Sequence, residues 1–402
     1  MKLNLRTVSC IIALLFVMAG CKKNNNEEID NSDPGKEFFV SAGVGRSFTK
    51  AELQGFATLK GLTSYIPFIQ YDVDFYPITY NTTFNGNKIK ASGLLCIPKN
   101  VPGTPALLSA QHGTMFSDQE VPSNFPIAFT GFELFASAGF VTVIPDYIGY
   151  GASKDIIHPY YDMQSSAIAV VDMIKASKYY LKTLNKSVSD KLFLVGYSEG
   201  GYVTMAAQKE IETNTSHGLT LTAAAEGAGG YDVTGMLAKV ATVPTYVDPS
   251  FFGLFMQSYN SLYGFNRPLT DYFKEPYASK MPQLLDGSKN SDGVNAELTP
   301  TLSSLFSTSF YASLSNPTAE LAFKAKVAAN SFPNWYPKTV TRLYHGTADQ
   351  NVYIETSQST LAKFIAAGAT KVTLTPIPGG THETTVPYMM GDALPWFKTL
   401  AQ

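Results

Sequence analysis

The segment Gly196-Tyr197-Ser198-Glu199-Gly200 places a serine between small residues, directly after an apolar run at 192–195 and before a helix-like segment at 201–213. A strand, a tight turn with serine at its apex and a helix are typical of a nucleophile elbow, which lifts the serine oxygen above the carboxyl edge of a parallel sheet. Small neighbours let the strand and the helix approach closely. The pattern predicts a nucleophile at Ser198, but so short a motif also arises by chance, so the prediction depends on partners elsewhere in the chain.

A carboxylate that orients a general base is expected after a later strand. The strand-like run at 340–344 leads into His345-Gly346-Thr347-Ala348-Asp349, which makes Asp349 the predicted acid. After a helix-like segment at 353–367 and a further strand at 371–377, the chain reaches His382 in what reads as a loop.

Histidine titrates closest to neutral pH among the side chains that can take up and return a proton. The order serine, acid, histidine selects His382 as the predicted base. His158, His217 and His345 lie in predicted turns and loops, where structural roles suffice. The fifth histidine, His112, belongs to another part of the predicted site.

These three motifs, in this order and at the ends of three predicted strands, resemble the α/β-hydrolase superfamily over about residues 70–402. The corner at 145–151 and, more loosely, His158-Pro159-Tyr160 resemble secretory lipases and related esterases. The resemblance implies a triad of Ser198, Asp349 and His382 that cleaves carboxylic esters through an acyl-enzyme. It implies neither a cofactor nor a metal, and Asp146 in the corner is interpreted as a residue that fixes the loop.

The same resemblance implies an oxyanion hole built from backbone amides. The amide of Glu199 is one predicted donor, and that of Thr114, after the predicted strand at 106–111, is the second. His112 and Gly113 are interpreted as shaping this loop. The Glu199 carboxylate is expected to turn aside, so that the amide of this residue contributes more to the chemistry than its side chain.

The elements that must position these residues read as strands near 71–80, 88–97, 106, 140, 191, 220, 340 and 371, separated by helix-like segments. The first two form a predicted hairpin around Asn85-Gly86. We expect an α/β-hydrolase fold, with a mostly parallel central sheet flanked by helices and an inserted cap at about 231–337 between the late strands.

The predicted cap is rich in aromatic residues, among them Phe251, Phe252, Phe255, Tyr259, Tyr263 and Phe265. They could line an acyl or aromatic pocket, but we expect most of them to form the core of the cap.

The first twenty residues carry Lys2 and Arg6 and then an apolar stretch, which predicts a signal peptide over 1–20. Met18-Ala19-Gly20-Cys21 resembles the lipobox of bacterial lipoproteins, so Cys21 is the predicted lipidation site. Residues 21–36 have almost no apolar content and predict a flexible tether, with the hydrolase domain at 37–402. This predicts a lipid-anchored protein of the bacterial cell envelope, with the outer membrane favoured and the membrane face left open.

A formal net charge of −2 argues against nucleic acid as a partner. The expected partners are a small-molecule ester and, through the anchor, a membrane, while the oligomeric state stays open. Two other functions also stay open: a serine peptidase of the same superfamily, and a surface binding lipoprotein that no longer reacts.

Overall fold

The computed structural model describes residues 33–402, so the predicted signal peptide, Cys21 and most of the predicted tether lie outside the described residues. The described part contains ten strands: β1 (Phe39–Ala42), β2 (Arg46–Phe48), β3 (Val73–Phe84), β4 (Asn87–Pro98), β5 (Leu107–Gln111), β6 (Val141–Pro145), β7 (Leu192–Tyr197), β8 (Ala223–Gly227), β9 (Val340–Gly346) and β10 (Val372–Ile377).

Thirteen α-helices accompany these strands in the same residues: α1 (Lys50–Leu59), α2 (Leu134–Ser137), α3 (Met163–Thr183), α4 (Glu199–Thr213), α5 (Val233–Val240), α6 (Ser250–Leu262), α7 (Tyr277–Leu284), α8 (Ser291–Asn295), α9 (Leu302–Leu305), α10 (Thr308–Ser315), α11 (Leu321–Ala329), α12 (Glu355–Ala366) and α13 (His382–Ala401). Within 33–402, no helix has the length and apolar content needed to cross a bilayer.

The strands form one mixed sheet in the order β1-β3-β4-β6-β5-β7-β8-β9-β10, with β2 also paired to β3. From β6 to β10 neighbouring strands are parallel, whereas β1 to β4 pair antiparallel and β4 joins β6 antiparallel. The predicted hairpin is therefore present as β3 and β4. The sheet begins earlier than predicted, because β1 and β2 add to the far side of β3.

Strands β5, β6, β7 and β8 are buried over their whole length, which requires cover on both faces of the sheet. One face packs against α3 and α4, and the other packs against α1, α2 and α13. This arrangement sets the carboxyl ends of β5, β7, β9 and β10 along one edge, where the predicted site residues follow.

Helices α5 to α11 lie between β8 and β9, as predicted for an inserted cap. Their core contains Tyr259, Phe306 and Phe323, and it packs against Tyr202 and Met205 of α4. The cap therefore rests on the helix that follows Ser198.

The chain that leads into the sheet is already packed at residue 33. Asp33 forms an ion pair with Lys182 of α3, and a Cβ on buried Gly35 would meet the carbonyl of Lys175. The last residues of the predicted tether thus lie against α3.

Candidate active site

Ser198 stands at the apex of a tight turn between β7 and α4, with φ 59° and ψ −128°. This is a backbone conformation that a residue with a side chain rarely adopts. A Cβ at Gly196 would lie 2.1 Å from the Gly200 carbonyl oxygen, and one at Gly200 would lie 2.0 Å from the Gln111 carbonyl oxygen. The glycines are therefore needed for the close approach of strand and helix, and the turn holds the Ser198 side chain in one position.

Ser198, His382 and Asp349 form a continuous chain of hydrogen bonds. His382 Nδ1 lies 2.7 Å from Asp349 Oδ2, and His382 Nε2 lies 2.8 Å from Ser198 Oγ. A carboxylate can only accept, so Nδ1 carries a proton, and Nε2 of the neutral ring presents a lone pair to the serine hydroxyl. This geometry lets the imidazole take the serine proton while the carboxylate stabilises the resulting positive charge.

His382 is the first residue of α13 and does not lie in a loop, which corrects the sequence-based expectation. Thr381 caps the helix, and its side chain and that of Thr384 each accept the backbone N–H of the other residue. The His382 carbonyl accepts the hydroxyl of Tyr197 at 2.7 Å. The base is thus held by a helix terminus and by the residue before the nucleophile.

Asp349 is fixed by the backbone of the turn that follows it. Its Oδ1 accepts the amide N–H groups of Asn351 (2.9 Å) and Val352 (2.8 Å), which leaves Oδ2 for His382. Burial acts to raise the pKa of Asp349, but contacts with His345 and His382 and the Val352 amide outweigh it and hold the pKa below its usual range. Asp349 therefore remains a carboxylate at neutral pH.

The loop after β5 passes directly beside the nucleophile. A Cβ on Gly113 would lie 3.6 Å from the Ser198 Cβ. His112 Nδ1 donates to the Gly113 carbonyl (2.7 Å), its ring stacks on Tyr147 (4.0 Å between centroids), and burial lowers its pKa. A neutral, buried His112 is thus fixed between the Gly113 carbonyl and the Tyr147 ring within this loop.

Of the two predicted oxyanion donors, Glu199 directly follows Ser198 in the chain, and Thr114 directly follows Gly113 in the loop that passes beside it. Glu199 opens α4, so its amide is one of the helix N-terminal donors that lack an acceptor within the helix. Thr114 follows Gly113, and its hydroxyl is 2.9 Å from that of Tyr160. The Glu199 side chain is buried, and its Oε1 lies 2.7 Å from His158 Nε2.

A cavity of about 70 Å³ opens at Ser198. Almost all of its walls are apolar or aromatic: Tyr160, Tyr161, Gly230, Val233, Met236, Leu237, Val240, Tyr246, Phe251, Phe252, Phe255, Asn351 and Val352 line it. Of the cap aromatics singled out from the sequence, Phe251, Phe252 and Phe255 face the cavity, whereas Tyr259 and its neighbours belong to the core of the cap.

Sequence reasoning missed the residues that join the cap to the acid turn. The Tyr246 hydroxyl donates to the Asn351 carbonyl, and the Asn351 side chain donates to Asp248. Asn351 lies only two residues after Asp349 in the sequence, and this proximity is the signal that could have indicated its role in the turn.

The remaining histidines have structural partners. His345 lies in β9 and not in a loop, and its two ring nitrogens contact Ser357 Oγ and the Val352 carbonyl, each at 2.7 Å. His217 contacts Glu210 (2.6 Å) at the far end of α4. Within 33–402 no group of three or more His, Cys, Asp or Glu side chains is arranged to hold a metal ion.

The model of the secretory lipase family matches residues 132–400. The structure is similar to that of a proposed hydrolase from Legionella pneumophila (TM-score 0.80, 23% identity, 90% of this chain and 98% of that chain). It is also similar to the rice cell wall degrading esterase LipA from Xanthomonas oryzae (TM-score 0.75, 24% identity, 91% and 98%) and to Candida antarctica lipase A (TM-score 0.61, 15% identity, 86% and 78%). At these identities the structural likeness concerns the fold. No curated protein sequence matches this chain.

Proposed function

The chain belongs to the secretory lipase family and is a carboxylic-ester hydrolase, and from that premise we propose that Ser198, His382 and Asp349 are its catalytic triad. The observation that carries this proposal is the hydrogen-bonded chain from Ser198 Oγ through His382 to Asp349 Oδ2, with distances of 2.8 and 2.7 Å.

In the proposed reaction, Ser198 Oγ attacks the ester carbonyl carbon while His382 Nε2 takes the hydroxyl proton. The amides of Glu199 and Thr114 stabilise the oxyanion that forms. His382 then gives the proton to the departing alcohol, which leaves an acyl group on Ser198. Water, activated by His382, attacks this acyl-enzyme and releases the acid.

A fluorophosphonate probe tests the nucleophile. The protein should be labelled, and Ser198→Ala should abolish both labelling and ester hydrolysis. Equal labelling of Ser198→Ala would show that another residue reacts. Comparing p-nitrophenyl esters with aminoacyl p-nitroanilides separates this function from a peptidase, and hydrolysis of the anilides alone would favour the peptidase.

The cavity at Ser198 supports a preference for short aliphatic acyl groups. At about 70 Å³ it has less than half the volume of a cavity of roughly 150 Å³ that binds benzene in another protein. Its walls provide no charged side chain for an acyl group that carries charge. We expect kcat/KM to be highest for acetyl to butyryl esters and to fall for octanoyl esters.

Phe252→Ala tests whether the Phe252 side chain limits the length of the acyl group that the cavity accepts. The octanoate-to-butyrate ratio of kcat/KM should rise at least about tenfold, since burial of only two of the four additional methylenes, at about 0.8 kcal/mol each, corresponds to more than a factor of ten. Phe310→Ala removes an equal ring from the cap core, where its aromatic neighbours are Tyr272, Phe306 and Phe323 and not residues of the cavity wall, and it should leave the ratio unchanged. An unchanged octanoate-to-butyrate ratio in Phe252→Ala would show that this side chain does not limit the length of the acyl group.

We also propose that Cys21 is lipidated and anchors the domain in the bacterial cell envelope, at the outer membrane. The support is the sequence: an apolar signal-like stretch, Met18-Ala19-Gly20-Cys21, and a polar segment after it. Cell fractionation of Cys21→Ser should find the protein released from membranes. Membrane retention equal to that of the unchanged protein would contradict the anchor.

A further inference from the structure

His158 and Glu199 form a buried pair beside the nucleophile. His158 Nδ1 lies 2.7 Å from the Ile148 carbonyl oxygen, and its Nε2 lies 2.7 Å from Glu199 Oε1. A carbonyl oxygen only accepts, so Nδ1 carries a proton. The second contact also requires a proton, either on Nε2 or on the carboxyl group. In both arrangements the pair as a whole is neutral.

The pair has little access to water, since the side chains of His158 and Glu199 are 7% and 2% exposed. A negative charge on Glu199 would act on His112 and on four tyrosines that surround it: Tyr147, Tyr150, Tyr160 and Tyr161. A tyrosine side chain is never cationic, and burial lowers the pKa of His112 and keeps that ring neutral, so none of these five residues supplies a positive charge. His158 is therefore the group that compensates Glu199.

The same segment of chain also contacts the other predicted oxyanion donor. The hydroxyl of Tyr160, two residues after His158, is 2.9 Å from Thr114 Oγ1. The segment His158-Pro159-Tyr160 thus bonds to the side chains of both Glu199 and Thr114, whose amides are the proposed donors.

We propose that His158 and Tyr160 are positioning residues that assemble the oxyanion hole, and that His158 also neutralises the Glu199 carboxylate beside the developing oxyanion. This inference rests on the proposed triad and oxyanion hole. An unpaired negative charge at Glu199 would oppose the negative charge that forms on the substrate oxygen, and it would do so in a buried site where water screens it little. The contact with His158 also restrains Glu199, the first residue of α4, whose amide is the proposed donor.

His158→Phe removes the proton donor and places an apolar ring among Tyr147, Tyr150 and Tyr160, which already surround His158. We expect kcat on p-nitrophenyl butyrate to fall at least about tenfold with KM nearly constant, because the oxyanion exists only in the transition state. The loss should stay below the 10²–10³-fold typical of removing an oxyanion donor outright.

The pH profile separates positioning from a purely structural role. Burial of an unpaired carboxylate favours its protonated form. Relative to the unchanged enzyme, His158→Phe should therefore lose more activity at pH 9 than at pH 6. The double variant His158→Phe/Glu199→Gln should recover part of kcat and lose this additional pH dependence, since no charge is left to neutralise.

His217→Phe is the matched control, because it breaks another histidine–glutamate contact at the opposite end of α4. Its kcat should be unchanged. Tyr160→Phe removes only the hydroxyl that contacts Thr114, so its kcat should fall a few-fold without a change in pH dependence, and it serves as the test if His158→Phe does not fold.

Wild-type kcat in both His158→Phe and Tyr160→Phe would overturn the proposal. So would a loss in His158→Phe that is constant with pH and is not relieved by Glu199→Gln, since that result is expected of a structural residue. Failure of Ser198 to react with a fluorophosphonate would instead overturn the triad, and the two failures are therefore distinguishable.

Discussion

Replacement of Asp349 by asparagine exchanges one carboxylate oxygen for an NH₂ group and thereby moves the proton of the His382 ring from Nδ1 to Nε2. In the native turn, Asp349 Oδ1 accepts two backbone N–H groups, from Asn351 and Val352. An asparagine keeps its oxygen at these two donors, so its NH₂ group takes the place of Oδ2 and faces His382 Nδ1. The ring must then accept at Nδ1 and carry its proton on Nε2, where it cannot take the proton of Ser198.

The expected loss follows from this change of tautomer. The same replacement in a serine protease lowers kcat about 10⁴-fold. At about 1.36 kcal/mol for each factor of ten, Asp349→Asn should cost about 5.4 kcal/mol of transition-state stabilisation. Initial rates with p-nitrophenyl butyrate measure kcat, and near-ultraviolet circular dichroism checks that the fold is retained.

Asp248 is the comparison residue for Asp349. Its carboxylate accepts a hydrogen bond from the Asn351 side chain and lies near enough to His382 for an electrostatic interaction, but it is not hydrogen-bonded to His382. Asp248→Asn should lose far less activity than Asp349→Asn. If Asp349→Asn keeps more than about a tenth of kcat, or if Asp248→Asn is the inactive variant, the assignment of the acid is wrong.

Three further predictions concern stability. Burial raises the pKa of Asp172 to about 6, above the reference of about 3.9, so the folded state binds the Asp172 proton more tightly than the unfolded state does. The stability that this bound proton contributes is lost as the pH rises through about 6. In urea denaturation, Asp172→Asn should therefore be more stable than the native protein at pH 8 by up to about 2 kcal/mol, with little difference at pH 4. Ser198→Gly should be inactive but more stable to urea than Ser198→Ala by about 1 kcal/mol, because glycine adopts φ 59° without strain; equal stability would show that the turn is relaxed. Gly200→Ala should lose both turnover and thermal stability, since its Cβ would lie 2.0 Å from the Gln111 carbonyl oxygen; an active, stable variant would contradict the close packing of the turn.

The sequence was sufficient to predict that Ser198, Asp349 and His382 meet, because each of them follows a strand of the same parallel sheet. Ser198 and His382 are 184 residues apart, yet the carboxyl ends of β7 and β10 lie at one edge. The placement of His382 was less accurate. Gly379-Gly380 favoured a loop, and the Thr381 and Thr384 pair that starts α13 was the signal overlooked.

The partner of Glu199 could not have been predicted in this way. His158 lies 41 residues earlier, in a segment without regular secondary structure, and no local pattern indicates that it folds over the start of α4. The strands β1 and β2 were missed for a related reason. With four and three residues, they are too short for an alternation of apolar and polar side chains to be recognised.

The helix α6 shows why aromatic content alone did not separate the substrate cavity from the core of the cap. Phe251, Phe252 and Phe255 share the face toward Ser198 and are half-buried, whereas Met256 and Tyr259 are fully buried in the cap. With about 3.6 residues per turn, these side chains form one apolar stripe on which Tyr259 lies between Phe255 and Phe252, and the sequence does not reveal which neighbour of the stripe is protein and which is empty space. Phe255 stacks on Tyr259, with 4.2 Å between the ring centroids, so substitutions on the cavity side of this stripe also remove packing from the cap, and a change in acyl preference should come with a loss of stability.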